Sequence, residues 1–207
     1  MPRSPLDKGL DAFAHRNWGR ARRELEAAAA YEPRATGEYH LGLLYWRGLG
    51  GPRDVEAAVL CFARAADMGH SAAQTAFGMA LRSGVGTPQD IEAARALFRS
   101  AAGAGDLEGM TQLAAMSDPD DARRWLIRAS EEGYAPAMLN LADLIMGYDP
   151  IEALAWLYTS TAVAGDDAAR KRAAALAKEM SAAEIDAAQK HGRAYIKNLR
   201  HRARERR

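Results

Sequence analysis

The order of apolar, small and polar residues in this chain repeats. Residues 39–54 align without gaps with residues 75–90, an offset of 36 positions that also carries Phe62 onto Phe98. Each copy indicates a helix, a Gly/Pro loop, a second helix and a glycine turn. We term the first helix A and the second helix B, and the pattern predicts a short helix A and a longer helix B.

Two further copies of the second half of this unit follow, at residues 122–133 and 154–165. One helix pair cannot bury its apolar face alone, so we expect neighbouring pairs to stack around a continuous hydrophobic core. One position of the repeat carries large residues that should fill the space between helix pairs: Phe62, Phe98, Leu126 and Tyr158.

Glycines and aspartates mark the close contacts and the ends of these helices. Gly42 and Gly78 fall inside predicted A helices, where glycine costs about 1 kcal/mol relative to alanine. We interpret them as points where a neighbouring helix comes too close for a larger side chain, and Ala114 and Ala142 keep the site small in later copies. Glycines that should end helix B in a left-handed conformation are Gly69, Gly105, Gly133 and Gly165. Aspartates that should cap the following helix are Asp54, Asp90, Asp118 and Asp149.

Composition supports helices and narrows the class of function. Ala, Leu, Arg and Glu are abundant, whereas the strand formers Val, Ile and Thr are sparse. Lys and Arg number 28 against 27 for Asp and Glu, which gives a formal charge of +1. The chain therefore lacks the long-range positive field with which most nucleic-acid binders attract phosphates, and nucleic acid is not an expected partner.

The single cysteine, Cys61, excludes an intrachain disulfide framework. The first eight residues lack the apolar stretch of a secretory signal, and no apolar run approaches the ~20 residues that cross a bilayer. We expect no transmembrane segment and a cytoplasmic location, or a periplasmic one if a leader has been removed.

The residues of the first copy resemble the Sel1-like repeat, a relative of the tetratricopeptide repeat. The matching positions are Leu41, Gly42, Tyr45, Gly48, Gly50, Asp54, Ala57, Phe62, Ala65, Ala66 and Gly69. The second copy departs at Phe77 and Leu81, the third lacks the Gly-x-Gly loop, and the fourth keeps mainly the pattern of helix B. The resemblance implies an all-α fold, a right-handed α-solenoid of antiparallel helix pairs.

On this basis the chain divides into three parts. Residues 1–35 resemble a tetratricopeptide-like capping pair, and residues 170–207 resemble the terminal helices of Sel1-like arrays and end in a basic tail. Between them we expect four repeats, at residues 36–71, 72–107, 108–135 and 136–169.

The A helices of tetratricopeptide-like solenoids line a concave face, so the resemblance implies a groove that binds a protein or peptide there. The candidate groove residues are Tyr39, His40, Leu43, Trp46, Thr75, Met79, Arg82, Leu139, Asp143 and Met146. Trp46 and Met79 lie where helical periodicity does not need them for the core, which is typical of a binding surface. Trp46 could instead cover a neighbouring helix, and the sequence does not separate these alternatives.

Other candidate groups have structural interpretations. Cys61 aligns with apolar residues in the other copies, which predicts a buried thiol and not a nucleophile. His70 follows a turn glycine, and we expect it to be solvated. Residues 84–86 lack the lysine and the spacing of a phosphate loop, and the acidic residues among 118–121 fit a helix cap better than a cation site. We predict no catalytic residue, no cofactor and no metal.

The leading hypothesis is therefore a non-catalytic scaffold or adaptor. One alternative uses the basic run from Lys197 to Arg207, which could contact nucleic acid or an anionic membrane surface with strong salt dependence. A frayed, solvated helix end explains the same run. Another alternative is a β-lactam-binding or hydrolysing enzyme, an activity of some cysteine-rich Sel1-like proteins. Those resemble disulfide-stapled arrays, whereas this chain has one cysteine and no Ser-x-x-Lys pair.

Overall fold

The computed structural model describes residues 3–205, which contain twelve α-helices and no strand. This confirms the predicted all-α class. The helices are α1 (Pro5–Ala14), α2 (Trp18–Tyr31), α3 (Ala35–Arg47), α4 (Val55–Asp67), α5 (Ser71–Ser83), α6 (Ile91–Gly103), α7 (Leu107–Ala114), α8 (Pro119–Glu131), α9 (Ala135–Ile145), α10 (Pro150–Ala164), α11 (Asp167–Ala177) and α12 (Ala182–Glu205).

The chain divides into two compact units, and the first extends to Gly109. In this unit α1 packs against α2, α3 against α4 and α5 against α6, while α2–α3 and α4–α5 contacts join successive pairs. Helices α3 to α6 each contain 13 residues. The predicted difference in length between A and B helices is therefore wrong here, because helix A begins directly after the preceding turn, as at Ser71.

Each A helix of these two repeats carries its glycine directly against an aromatic ring of its B helix. A Cβ atom placed on Gly42 would lie 2.5 Å from Cε1 of Phe62, and one on Gly78 would lie 2.7 Å from Cε1 of Phe98. Both distances are shorter than van der Waals contact. The predicted close approach at Gly42 and Gly78 is confirmed, and the two rings are buried.

The ends of the helices follow the predicted local signals. Four turn glycines have a positive φ, at 82° in Gly69, 92° in Gly105, 88° in Gly133 and 66° in Gly165. Asp54 accepts a hydrogen bond from the backbone N–H of Ala57 at 2.9 Å, and Asp90 accepts one from Ala93 at 2.9 Å. Asp118 and Asp149 likewise cap α8 and α10, each before a proline. These caps fix where each helix starts.

The second unit begins at Met110 and is organised around α10. Helix α9 packs against both α8 and α10, and α11 and α12 also contact α10. Residues 153–157 of α10 are all buried, which is expected of a helix that has neighbours on several sides. In the described part of the chain, no helix has the length and hydropathy needed to cross a membrane.

A candidate binding cleft between α3 and α5

Five of the predicted groove residues line one cleft in the first unit. Tyr39, Leu43 and Trp46 come from α3, and Thr75 and Met79 come from α5. Their spacings of three and four residues place them on one face of each helix. The cleft has a volume of about 720 Å³, which lies in the range of pockets that bind ligands.

Small and apolar side chains form the floor of this cleft. The Phe62 ring of α4 lies with its centroid 6.0 Å from that of Tyr39 and 6.3 Å from that of Trp46. On α5 the lining residues Ala72 and Ala76 present only methyl groups. The cleft can therefore receive a bulky apolar side chain against an aromatic floor.

Negatively and positively charged residues lie at opposite ends of the helices that line the cleft. Helices α3 and α5 begin at the same end of the cleft, because the ring of Tyr39 stacks on that of His70, the residue before α5, at 4.5 Å. Asp106 lies at this amino-terminal end, and Arg47 is the last residue of α3. The charged residues that line the cleft are Arg47, Arg53, Asp106 and Glu108.

Tyr39 lies within range of both kinds of charge. Burial raises the pKa of its hydroxyl, the negative charge of Asp106 raises it further, and the positive charge of Arg47 lowers it. Tyr39 therefore stays neutral at pH 7 and offers the cleft an O–H group that can donate a hydrogen bond.

Trp46 both packs and lines the cleft. Its indole is half-buried near Phe62, and the guanidinium of Arg53 lies 5.7 Å from the ring centroid. Arg53 is held there because its Nε donates to the backbone oxygen of Trp46 at 2.9 Å. Trp46 thus lies near Phe62 of the neighbouring helix and also lines the cleft, and its role in binding stays a prediction.

Thr75 contributes to the cleft wall but is buried, at 2 % exposure. Its hydroxyl donates to Oδ1 of Asp106 at 2.8 Å, and the same oxygen accepts the backbone N–H of Gly109 at 2.7 Å. Asp106 therefore joins α5 to the start of α7 through hydrogen bonds. The Thr75 hydroxyl therefore stabilises the fold, and the other residues that line the cleft are the candidates for contact with a ligand.

His40 and Arg82 are not among the residues that line the cleft. Nδ1 of His40 lies 2.7 Å from the backbone oxygen of Thr36, and its ring meets the Phe13 ring edge-on at 4.7 Å. The guanidinium of Arg82 lies 5.8 Å from the ring centroid of Phe98. Both side chains therefore support neighbouring helices.

The three remaining candidates belong to the second unit. Asp143 lines a smaller cleft of about 360 Å³ together with Asn140 and Leu144, and it forms an ion pair with Arg172. Leu139 lies on α9 and Met146 directly after it, and both are half-buried outside this smaller cleft. The groove assignment of these three residues stays a prediction.

The sequence profile of the Sel1 repeat matches this chain over residues 35–70, 71–106 and 109–134. The chain contains three Sel1 repeats. The first holds α3 and α4 and the second holds α5 and α6, so the cleft is built mainly from two consecutive Sel1 repeats. The predicted fourth copy, residues 136–169, stays a prediction.

Solved structures share this fold. A Sel1 repeat protein from Oxalobacter formigenes superimposes with a TM-score of 0.70 at 20 % identity, over 96 % of this chain and 97 % of that one. An immunity protein from Pseudomonas aeruginosa gives 0.55 at 17 % identity, over 96 % and 82 %. A protective antigen with an SLR fold from uropathogenic Escherichia coli strains gives 0.50 at 16 % identity, over 94 % and 61 %. A search of curated protein sequences found no match. Sel1 repeat proteins are generally protein-interaction scaffolds.

His70, the last residue of the first Sel1 repeat, contacts the cleft residue Tyr39, a role that the sequence interpretation missed. The expectation of a solvated turn residue is wrong, because Nδ1 of His70 accepts the backbone N–H of Ala73 at 3.3 Å and caps α5. Its ring also stacks on Tyr39. Its position directly after a turn glycine and before a helix was the available signal, since that position belongs to the N-cap.

The partial burial of His70 makes the stability of the first unit pH-dependent. Burial lowers the pKa of its imidazole below 6.5, the charge of His40 lowers it further, and Asp106 opposes both. Above about pH 6.5 the imidazole is mostly neutral in both the folded and the unfolded chain, so its protonation does not change the stability of the fold. As the pH falls below it, the unfolded chain binds the proton more readily and stability decreases.

We expect the variant His70→Asn to lose less stability than wild type between about pH 7 and about pH 5, because asparagine also caps helices but carries no proton in this range. Urea unfolding at a series of pH values measures this difference. His15→Asn, which changes an exposed histidine of the same unit, should keep the wild-type slope. Equal slopes for wild type and His70→Asn would contradict the assignment.

Two other candidate groups have the structural roles predicted for them. Cys61 is 2 % exposed, and burial, with the nearby charge of Glu38, raises the pKa of its thiol to about 12. Asp118 caps α8 by accepting the N–H groups of Asp120 and Asp121 at 3.1 and 3.0 Å. Among residues 3–205, no group of three or more His, Cys, Asp or Glu side chains is arranged to hold a metal ion.

Proposed function

We propose that this Sel1 repeat protein is a scaffold whose α3–α5 cleft binds a segment of a partner protein. The observation that carries this proposal is the convergence of Tyr39, Leu43, Trp46 and Met79 on one cleft with the Phe62 ring in its floor. Partly exposed aromatic and methionine side chains are enriched in protein interfaces and serve there as sites of strong binding.

The lining residues define the chemistry of the bound segment. A large apolar side chain of the partner would lie between Trp46 and Met79, where it replaces water over an apolar surface. An acidic group toward Arg47 and Arg53 would complement the charge at the carboxyl-terminal end of α3. A scaffold role needs no catalytic group and no cofactor, and we propose neither for the cleft.

Trp46→Ala should weaken binding of a cleft ligand by about 30-fold, or about 2 kcal/mol, since a half-buried tryptophan is a typical hot spot. The ligands are short peptides selected from a random phage-displayed library against the wild-type protein, and their dissociation constants are measured by fluorescence anisotropy. Peptides selected in this way should contain an apolar residue next to an acidic one.

Trp125→Ala is the matched control for this experiment. Trp125 is also half-buried and has an arginine, Arg128, 5.7 Å from its ring centroid, but it lies on α8 outside the cleft. We expect it to leave binding within twofold of wild type. The proposal fails if the selected peptides bind Trp46→Ala as tightly as wild type, or if both tryptophan variants lose the same affinity.

A further inference from the structure

Helix α12 is fixed to the second unit along one face. Tyr195 stacks on Trp156 of α10 with ring centroids 4.2 Å apart, and its hydroxyl donates to Oε1 of Glu152. Near the end of the helix, Arg202 donates to the backbone oxygen of Glu131 at 3.1 Å and forms ion pairs with Glu131 and Glu132. The expected fraying is therefore wrong for the described residues, because the helix continues to Glu205 and Arg202 anchors its end, whereas the expected solvation agrees with the exposure of most side chains from residue 197 to residue 205.

The opposite face of α12 carries a row of cations. The row, which we call the basic stripe, consists of Arg193, Lys197, Arg200 and Arg204. Their spacings of four, three and four residues place them on one side of the helix, about 180° around the axis from the docked face. At 1.5 Å per residue the stripe is about 16 Å long, and all four residues are exposed.

No acidic side chain among the described residues forms an ion pair with the basic stripe. The nearby acids have other partners, since Asp186 pairs with Lys190 at 2.7 Å and Glu205 lies 3.5 Å from His201. The hydrogen bond from Lys190 lowers the pKa of Asp186, and Arg193 adds a smaller effect. From residue 187 to residue 207 the sequence has eight Lys and Arg against the single acid Glu205. The stripe is therefore a local region of uncompensated positive charge on a chain that is nearly neutral overall.

The side chains of the stripe enclose a shallow groove and not a flat surface. The groove has a volume of about 570 Å³, and Ile196, Asn198 and His201 complete its lining. Three guanidinium groups and the ammonium group of Lys197 line this groove, and each arginine can bind a phosphate through two hydrogen bonds at once. The shape and the charge thus indicate a linear polyanion.

We propose that the basic stripe of α12 binds the phosphate backbone of duplex nucleic acid without reading its sequence. The aromatic ring that could stack on unpaired bases, Tyr195, is already covered by Trp156, which favours a duplex over a single strand. The larger apolar side chains of α12, among them Ile196 and Leu199, are partly covered, which disfavours insertion into a bilayer. Duplex phosphates supply the high charge density that a short row of cations needs.

The test uses fluorescein-labelled duplex DNA of mixed sequence and measures anisotropy at several salt concentrations. Four phosphate contacts predict a slope of log K against log salt of about −3.6, so wild-type affinity should fall by roughly 100-fold between 50 and 200 mM salt. The variant Arg193→Gln, Lys197→Gln, Arg200→Gln, Arg204→Gln should bind at least tenfold more weakly at low salt and have a flatter slope. Glutamine preserves helix propensity, and circular dichroism checks that α12 remains helical.

The control variant removes the same charge elsewhere. Arg20, Arg23, Arg99 and Arg123 are exposed on α2, α6 and α8, and their replacement by glutamine should leave DNA binding within twofold of wild type. Equal losses in both variants would show that only net charge matters and would overturn the proposal. So would failure of wild type to bind DNA at 50 mM salt, or binding to phosphatidylserine vesicles in preference to DNA. Peptide binding in the α3–α5 cleft is measured separately, so the two proposals succeed or fail independently.

Discussion

Phe98→Ala should lower the free energy of unfolding by about 4 kcal/mol, the cost of emptying a fully buried aromatic site. The Phe98 side chain has no exposed surface, and its ring lies against Gly78 of the paired helix. The glycine leaves no side chain that could move into the vacated space, so the cavity should persist. Urea unfolding followed by far-ultraviolet circular dichroism measures the change.

The partner residue gives the complementary experiment. Gly78→Ala should also destabilise, by about 2 kcal/mol, because a methyl group in this position overlaps the Phe98 ring and the overlap exceeds the gain in helix propensity. Gly78→Ala with Phe98→Leu should be less destabilised than the two single changes added together. Gly103→Ala, where a new Cβ would meet nothing within 4 Å, should leave stability unchanged or higher. A neutral Gly78→Ala would contradict the described contact.

Arg64→Ala should cost about 3 kcal/mol, because it leaves the carboxylate of Glu38 without its cation. Glu38 is 1 % exposed, and its Oε2 accepts a hydrogen bond from Nη2 of Arg64 at 2.8 Å. Half of the Arg64 side chain is exposed, so water can replace part of the lost interaction. The expected loss of stability is therefore at the lower end of the range for breaking a buried ion pair. The same unfolding experiment measures it.

Removing both charges separates this explanation from simple loss of packing. Arg64→Ala with Glu38→Gln should recover most of the stability, since the amide is cheaper to bury than the carboxylate. Arg170→Ala, which breaks the exposed pair with Asp167, should cost less than 1 kcal/mol. If the double variant is as unstable as Arg64→Ala, the buried charge is not the cause.

Local signals account for the parts of the fold that the sequence predicted correctly. Gly42, Gly78 and Asp54 each make their contacts within their own helix pair. Their structural roles can therefore be predicted from the spacing of residues in a single repeat. The candidate cleft was predicted from the resemblance to tetratricopeptide-like solenoids, because transferring the register of their A helices to α3 places Tyr39 and Trp46 on the groove. Their exposure could not be predicted, since it depends on how closely Phe62 and Arg53 approach from elsewhere in the chain.

Contacts between residues far apart in sequence account for the errors. Tyr195 docks α12 through Glu152, 43 positions earlier, and Arg202 reaches Glu131, 71 positions earlier. Neither partner could be deduced from the composition of a basic tail. His70 is a similar case, because it caps α5 while its ring stacks on Tyr39 of α3, so the contact joins successive helix pairs.

In the first two repeats, each aromatic ring packs against the glycine of its own helix pair. This arrangement affects how such arrays can change in length. Gly42 meets Phe62 and Gly78 meets Phe98 inside single hairpins, and neither contact requires a residue from another repeat. Duplication or deletion of a whole hairpin therefore carries both halves of the contact along with it. An array of this design can grow or shrink during evolution by one hairpin at a time, with only the surfaces between hairpins left to adjust.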